Sequence, residues 1–130
     1  MAEFGSPDLQ TLTLEAAADL SAHQYTAMRV AGANKCNVAS QAVDSTFIGI
    51  LQNKPKSGEF ATIAVFGKSK MLAGGTITAG APMTINSSGR AIAVTSGNLE
   101  IVFGQALDAA ATGDTFTVLL KPTVRWVGQA

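Results

Sequence analysis

The chain repeats itself. Val102 to Leu120 matches Phe47 to Val65 without a gap: Gly49 falls on Gly104, Asn53 on Asp108, Gly58 on Gly113, Glu59 on Asp114, Thr62 on Thr117 and Ile63 on Val118, a constant shift of 55 positions. Each copy reads as a strand leading into glycine, a polar turn ending in glycine and an acid, and a second strand of alternating apolar and small residues. That is a hairpin used twice. Further out, Leu20-Ser21-Ala22 aligns with Ile77-Thr78-Ala79 at a shift of 57, and on that register Met28 meets Ile85 and Gly32 meets Gly89. The two-residue change of shift is therefore expected between Gly32 and Phe47. Two pseudo-repeats result, about residues 20–72 and 77–127, joined by Ala73-Gly74-Gly75-Thr76. Neither copy exceeds about 50 residues, too few to bury a core alone. The expectation is one β domain over residues 15–130, built of two halves, behind an extended amino-terminal arm over residues 1–14.

Strand signals recur along the chain at intervals of about ten residues. Thr11 to Glu15 alternates as a strand, although Leu14 to Leu20, with three alanines, could make two helical turns; strand followed by turn is favoured. Gln24 to Val30 alternates with Thr26, Met28 and Val30 on one face, and Gly32 to Asn37 reads as a polar turn. Phe47 to Leu51 and Phe60 to Phe66 flank a loop, Asn53 to Gly58, in which Pro55 forbids a central strand. Thr76 to Thr78, Met83 to Ile85, Arg90 to Val94 and Leu99 to Phe103 follow, the last hairpin closes at Leu120, and Pro122 to Val127 forms a tail holding Trp126. Short strands divided by Gly, Pro, Asn and Ser predict an all-β fold, a small barrel or sandwich of antiparallel strands.

Charge and cysteine content narrow the function classes. Charged residues make up 14% of the chain against the usual quarter, and nine basic residues cancel nine acidic ones. Such a chain has no net field to draw it to nucleic acid or an anionic membrane, and no basic cluster interleaved with aromatics. No apolar run approaches the roughly 18 to 20 residues of a membrane span. The first residues, Met1 to Asp8, have neither a basic nor an apolar signal region, so synthesis in a cytosol is expected. Cys36 is the single cysteine, which rules out an intrachain disulfide and leaves any thiolate metal site short of ligands.

Catalytic patterns do not emerge. His23 is the only histidine, with no second one to share a metal. The chain has no Gly-x-Ser-x-Gly elbow, no Cys-x-x-Cys, no His-x-x-x-His and no phosphate-binding loop. The glycine-rich Ala73 to Gly80 precedes strands instead of a helix that could hold a phosphate. Glu59 and Asp114 are related by the repeat, and read as turn residues accepting backbone hydrogen bonds before they read as a paired acid site. No cofactor, metal site or catalytic residue is expected, and the chain is not expected to be an enzyme.

The run from Ala73 to Ala93, followed by Phe103 to Asp114 and a Val-Leu-Leu strand, resembles the capsid cement, or head decoration, proteins of tailed bacteriophages; Leu20 to Tyr25 resembles the earlier part of the same pattern. The likeness covers about residues 11–121. It implies a virion protein, made in the host bacterial cytoplasm, that binds the outside of the expanded icosahedral head and bridges neighbouring major capsid proteins. It also implies self-association, as a homotrimer or other small oligomer. The chain departs from the family picture in the loop holding Lys54, Pro55 and Lys56, and in the length of its arm.

Candidate contact residues follow from these departures and from composition. Phe4, Leu9, Leu12 and Leu14 would let the arm add a strand to a neighbouring sheet edge. Arg125 and Trp126 are residue types that commonly anchor interfaces, although Trp126 could instead cap the protein's own core. Lys54 and Lys56 either meet an acidic capsid surface or are solvated. The competing class is a secreted or surface β-module for adhesion or carbohydrate binding; a single Trp, a single Tyr and the lack of a signal region tell against it.

Overall fold

The computed structural model describes residues 9–40, 46–94 and 100–127. These form nine strands and no helix: β1 (Leu9–Ala16), β2 (Ala27–Val30), β3 (Lys35–Val38), β4 (Phe47–Leu51), β5 (Phe60–Leu72), β6 (Pro82–Ile85), β7 (Ala91–Ala93), β8 (Glu100–Ala106) and β9 (Thr115–Val127). Their order in the sheet is β1-β3-β2-β4-β5-β9-β8-β6-β7, and β1 also pairs with β5. That extra pairing closes the first five strands into a barrel. The all-β expectation holds, and of its two forms the barrel is the one adopted.

A second ring grows from the same strand. Gly67 to Leu72, the far half of β5, pairs antiparallel with Leu120 to Thr115 of β9. β9 then pairs with β8, β8 with β6 and β6 with β7. Ala91 of β7 bridges in parallel to Ala73, one residue beyond β5, and completes the circuit. The first barrel closes in the same way, through the parallel contact of Ala16 with Cys36.

The two rings match bond for bond. Ala16 N–H donates to the Glu59 carbonyl and Ala73 N–H to that of Asp114. Gly58 N–H donates to Ala16 and Gly113 N–H to Ala73; Leu20 N–H donates to Pro55 and Ile77 N–H to Ala110. Gly49 and Gly104 occupy the same strand crossing, where a Cβ would run into the carbonyl oxygen of Ala64 or of Leu119. Only glycine lets the backbones approach that closely.

The register of the early part differs from the expectation. Met28 faces Gly49 as Met83 faces Gly104, and Val30 faces Cys36 as Ile85 faces Ala91, so the shift of 55 already applies here. It reaches back to Tyr25, whose N–H donates to Leu51 as that of Gly80 donates to Ala106. Tyr25 and Gly80 share a left-handed backbone, φ 68° and 89°. The two-residue slip thus lies between Leu20 and Tyr25, and Met28 corresponds to Met83, not Ile85. Side chains alternate with a period of two along a strand, so a slip of two leaves the apolar pattern intact. Hydrogen bonding tells the registers apart where hydropathy cannot.

Three further differences concern strand extents. β5 does not stop at Phe66 but continues to Leu72, with Ser69 and Met71 buried and Lys68 and Lys70 exposed. β9 runs through the expected tail to Val127, paired there with Glu100 to Val102. Lys35 to Asn37, expected in the turn, belong with Val38 to β3; the turn itself is confined to Gly32 to Asn34, with Asn34 at φ 58°.

Each ring has its own interior. The first is filled by Ala16, Leu20, Met28, Cys36, Leu51, Ala61 and Ile63. The matching positions Ala73, Ile77, Met83, Ala91, Ala106, Phe116 and Val118 fill the second. Burying such side chains contributes roughly 25 cal/mol per Å2 of apolar area. Short alternating strands suit this interior, since each gives one face to the core and one to the outside.

Candidate functional site

The matched acids and Cys36 serve turns and core, and His23 contributes its backbone carbonyl. The His23 carbonyl accepts hydrogen bonds from the Thr26 hydroxyl (2.7 Å) and backbone N–H (3.2 Å). Cys36 is buried in the first barrel, where desolvation pushes its thiol pKa up. Glu59 accepts from the Lys56 N–H at 2.7 Å, and Asp114 accepts from the Ala111 N–H at 3.1 Å. These are the turn-closing bonds expected of a matched pair. Asn53 and Asp108 likewise each accept from the N–H of the matching Thr62 and Thr117. Asp19, exposed, is held below the usual carboxylate range by the Ser21 hydroxyl and N–H. Among the described residues no three His, Cys, Asp or Glu side chains gather as metal ligands.

The expected contact residues are spread over the molecule. Phe4 lies outside the described residues. Leu9, Leu12 and Leu14 are in β1, paired antiparallel with β5 from Leu9–Gly67 to Glu15–Phe60. The sheet edge that this strand joins is the chain's own. Leu14 packs against the first core and Leu9 against the second, while Leu12 is 37% exposed. Lys54 and Lys56 are exposed on either side of the buried Pro55. The backbone of Arg125 and Trp126 pairs with Val102 and Ile101; their side chains fall outside the description. An open groove of about 300 Å3 runs where the barrels meet, lined by Leu9, Tyr25, Gln52, Lys68, Lys70 and Thr117 among others.

The barrels meet end to side. Ala27, Ile50 and Ala64 lie in register across β2, β4 and β5, on the outer face of the first barrel. All three are fully buried and share a core cluster with Ile85, Phe103 and Leu120 of the second. The Phe47 and Phe103 rings meet at 5.2 Å between centroids, tilted by 33°. Ala27 N–H donates to Gly89 and Leu72 N–H to Tyr25, stitching the joint. Gly89 is pressed against Val38 and Ala39, so a Cβ there would collide.

One end of the second barrel is thereby sealed: Ser69, Ile85, Phe103 and Leu120 are all at most 5% exposed. The same end of the first barrel is lined by their counterparts Leu12, Val30, Ile48 and Val65. Leu12 and Val30 are 37% and 43% exposed, and Ile48 and Val65 are half-buried. Of these four, sequence reasoning singled out Leu12 alone. The apolar alternation marks the other three as inward-facing, but whether anything covers them depends on what lies beyond the barrel.

Two fused barrels result, with matched acids closing their turns and an apolar rim left open on the first. A sequence model of the phage cement protein family matches residues 6–122, and the chain belongs to that family, as a structural protein of the phage virion. Among solved structures, the fold is similar to the crystal structure of the head fiber gp8.5 N base of bacteriophage phi29, with a TM-score of 0.66 and 17% sequence identity over 88% of this chain and 96% of that one. No curated protein sequence gives a significant match.

Proposed function

We propose that this protein binds the outer surface of the assembled phage capsid and cements neighbouring major capsid proteins, stabilising the expanded head. The family match over residues 6–122 carries this reading. The resemblance of its fold to a phage head protein, and a surface poor in charge, support it. A cement protein needs no reaction. By binding the assembled shell and not its separated subunits, each copy shifts the assembly equilibrium by mass action. Small oligomers, trimers in particular, multiply the contacts each bound unit makes.

Co-sedimentation of the purified protein with expanded tailed-phage shells lacking it, with the pellet imaged by electron microscopy, tests the proposal. Saturable, stoichiometric density on the outer shell is expected. A chain that stays in the supernatant with every expanded shell would contradict it. The arm is tested by deleting residues 1–8, because Leu9 already belongs to a barrel strand.

A further inference from the structure

The duplication contains its own instruction about what fits the open end. In the second barrel, the end formed by Ser69, Ile85, Phe103 and Leu120 is closed by the flank of the first, a surface of Ala27, Ile50, Ala64 and Phe47. That flank is apolar and small in the middle, with Arg29 beside Phe47 at its margin. The open end of the first barrel has Leu12, Val30, Ile48 and Val65 at the same positions, four apolar side chains, with Asn34 exposed on the neighbouring turn. A stack of repeats normally turns a polar face outward at its ends, and these four positions have not been made polar.

The other terminus of the stack has. In the second barrel the row matching Ala27, Ile50 and Ala64 is Pro82, Gln105 and Leu119, with Lys68 beside Leu119. Gln105 ties its amide to the Gly80 carbonyl at 2.9 Å, and Pro82 has no N–H to give where Ala27 donates to Gly89. Asn34 stands where Gly89 fits, adding a side chain that the close approach of Gly89 to Val38 does not admit. A second copy therefore cannot extend the stack by repeating the internal joint.

We propose that the open end of the first barrel, rimmed by Leu12, Val30, Ile48 and Val65, is the surface that seats on the capsid shell protein, and that it takes an apolar sheet face of small side chains. This assignment rests on the capsid-binding reading and names its contact. The occupant shares the apolar, small-residue character of the flank that closes the second barrel but stands off enough to admit the Asn34 side chain, and the affinity resides in apolar area and fit, with little dependence on salt.

The test measures binding of wild-type protein, Val30→Asp, Leu12→Asp and Phe60→Asp to expanded shells. Phe60 is 73% exposed and lies outside the rim, so its variant serves as the control. Val30→Asp and Leu12→Asp should weaken binding by about tenfold or more, with Phe60→Asp unchanged. Should either rim variant fold poorly, Leu12→Cys replaces it: shell-bound protein should protect that thiol from maleimide, whereas Phe60→Cys stays reactive. Rim variants that bind like wild type, or an unprotected Cys at position 12, would overturn the assignment while leaving capsid binding intact. Rim variants that convert an oligomer to monomers in sedimentation velocity would overturn it in favour of a second copy as occupant. Failure of the wild type to bind any shell would remove the functional reading itself.

Discussion

The two barrels share their strand connections, interior positions and turn-closing acids, yet one has an end that is sealed and the other has the same end open. Ile85 is fully buried and its counterpart Val30 is 43% exposed. Nothing in the local backbone accounts for this, since both face the inside of a closed ring beside matched residues, Ala91 and Cys36. The difference lies in what each barrel rests against. Duplicating a unit and docking the copies end to side makes one internal joint, and necessarily leaves one end and one flank without partners. The flank has become polar through Gln105 and Lys68, but the four rim positions of the end have not.

The harshest way to break the comparison is to remove β1. Deleting residues 1–14 takes away the strand that closes the first barrel, and should cost more than about 5 kcal/mol, comparable with the whole stability of a small domain. Loss of a cooperative melt is the expected readout, while deletion of residues 1–8 should leave the melt in place. Next comes the joint. Ala64→Asp buries an unpaired charge between the barrels and should destabilise by about 3–5 kcal/mol, whereas Leu119→Asp, at the matching but half-buried site, should cost about 1 kcal/mol. Urea titration of the two variants checks this; equal losses would mean the flanks are not different environments.

Within the barrel ends, Phe103→Ala should cost about 3–5 kcal/mol and Ile48→Ala closer to 1–2 kcal/mol, because the cavity penalty applies in full only where the site is enclosed. The smallest effect is expected at Cys36. Ala occupies the equivalent position 91, so Cys36→Ala should cost about 1 kcal/mol at neutral pH. Burial raises the thiol pKa in the folded state, so its contribution is complete below the unfolded pKa and is lost as pH rises through the folded one. Denaturant midpoints of wild type and variant should therefore converge in alkaline solution.

Much of this was legible from the residues. The hairpin repeat, with Gly49 over Gly104 and Glu59 over Asp114, stands in the sequence because strand crossings and tight turns demand particular residues. The slip between Leu20 and Tyr25 did not, because moving a strand by two positions preserves its alternation. The continuation of β5 was hidden behind Gly67-Lys68-Ser69-Lys70, where a buried serine takes the place of an apolar residue and Gln52 satisfies its hydroxyl at 2.9 Å. Leu12 was singled out from the sequence, but Val30, Ile48 and Val65, which share its open rim, were not. An inward-facing valine reads the same whether its barrel is capped or open.

Hydrogen exchange of the protein, free and bound to expanded shells, measures the asymmetry most directly. In the free protein the amides around Ile85 should exchange slowly and those around Val30 faster, and binding should slow the strand ends bearing Leu12, Val30, Ile48 and Val65 until the two barrels match. Equal protection of both ends in the free protein, or protection on binding that falls on Pro82, Gln105 and Leu119 instead, would contradict the account.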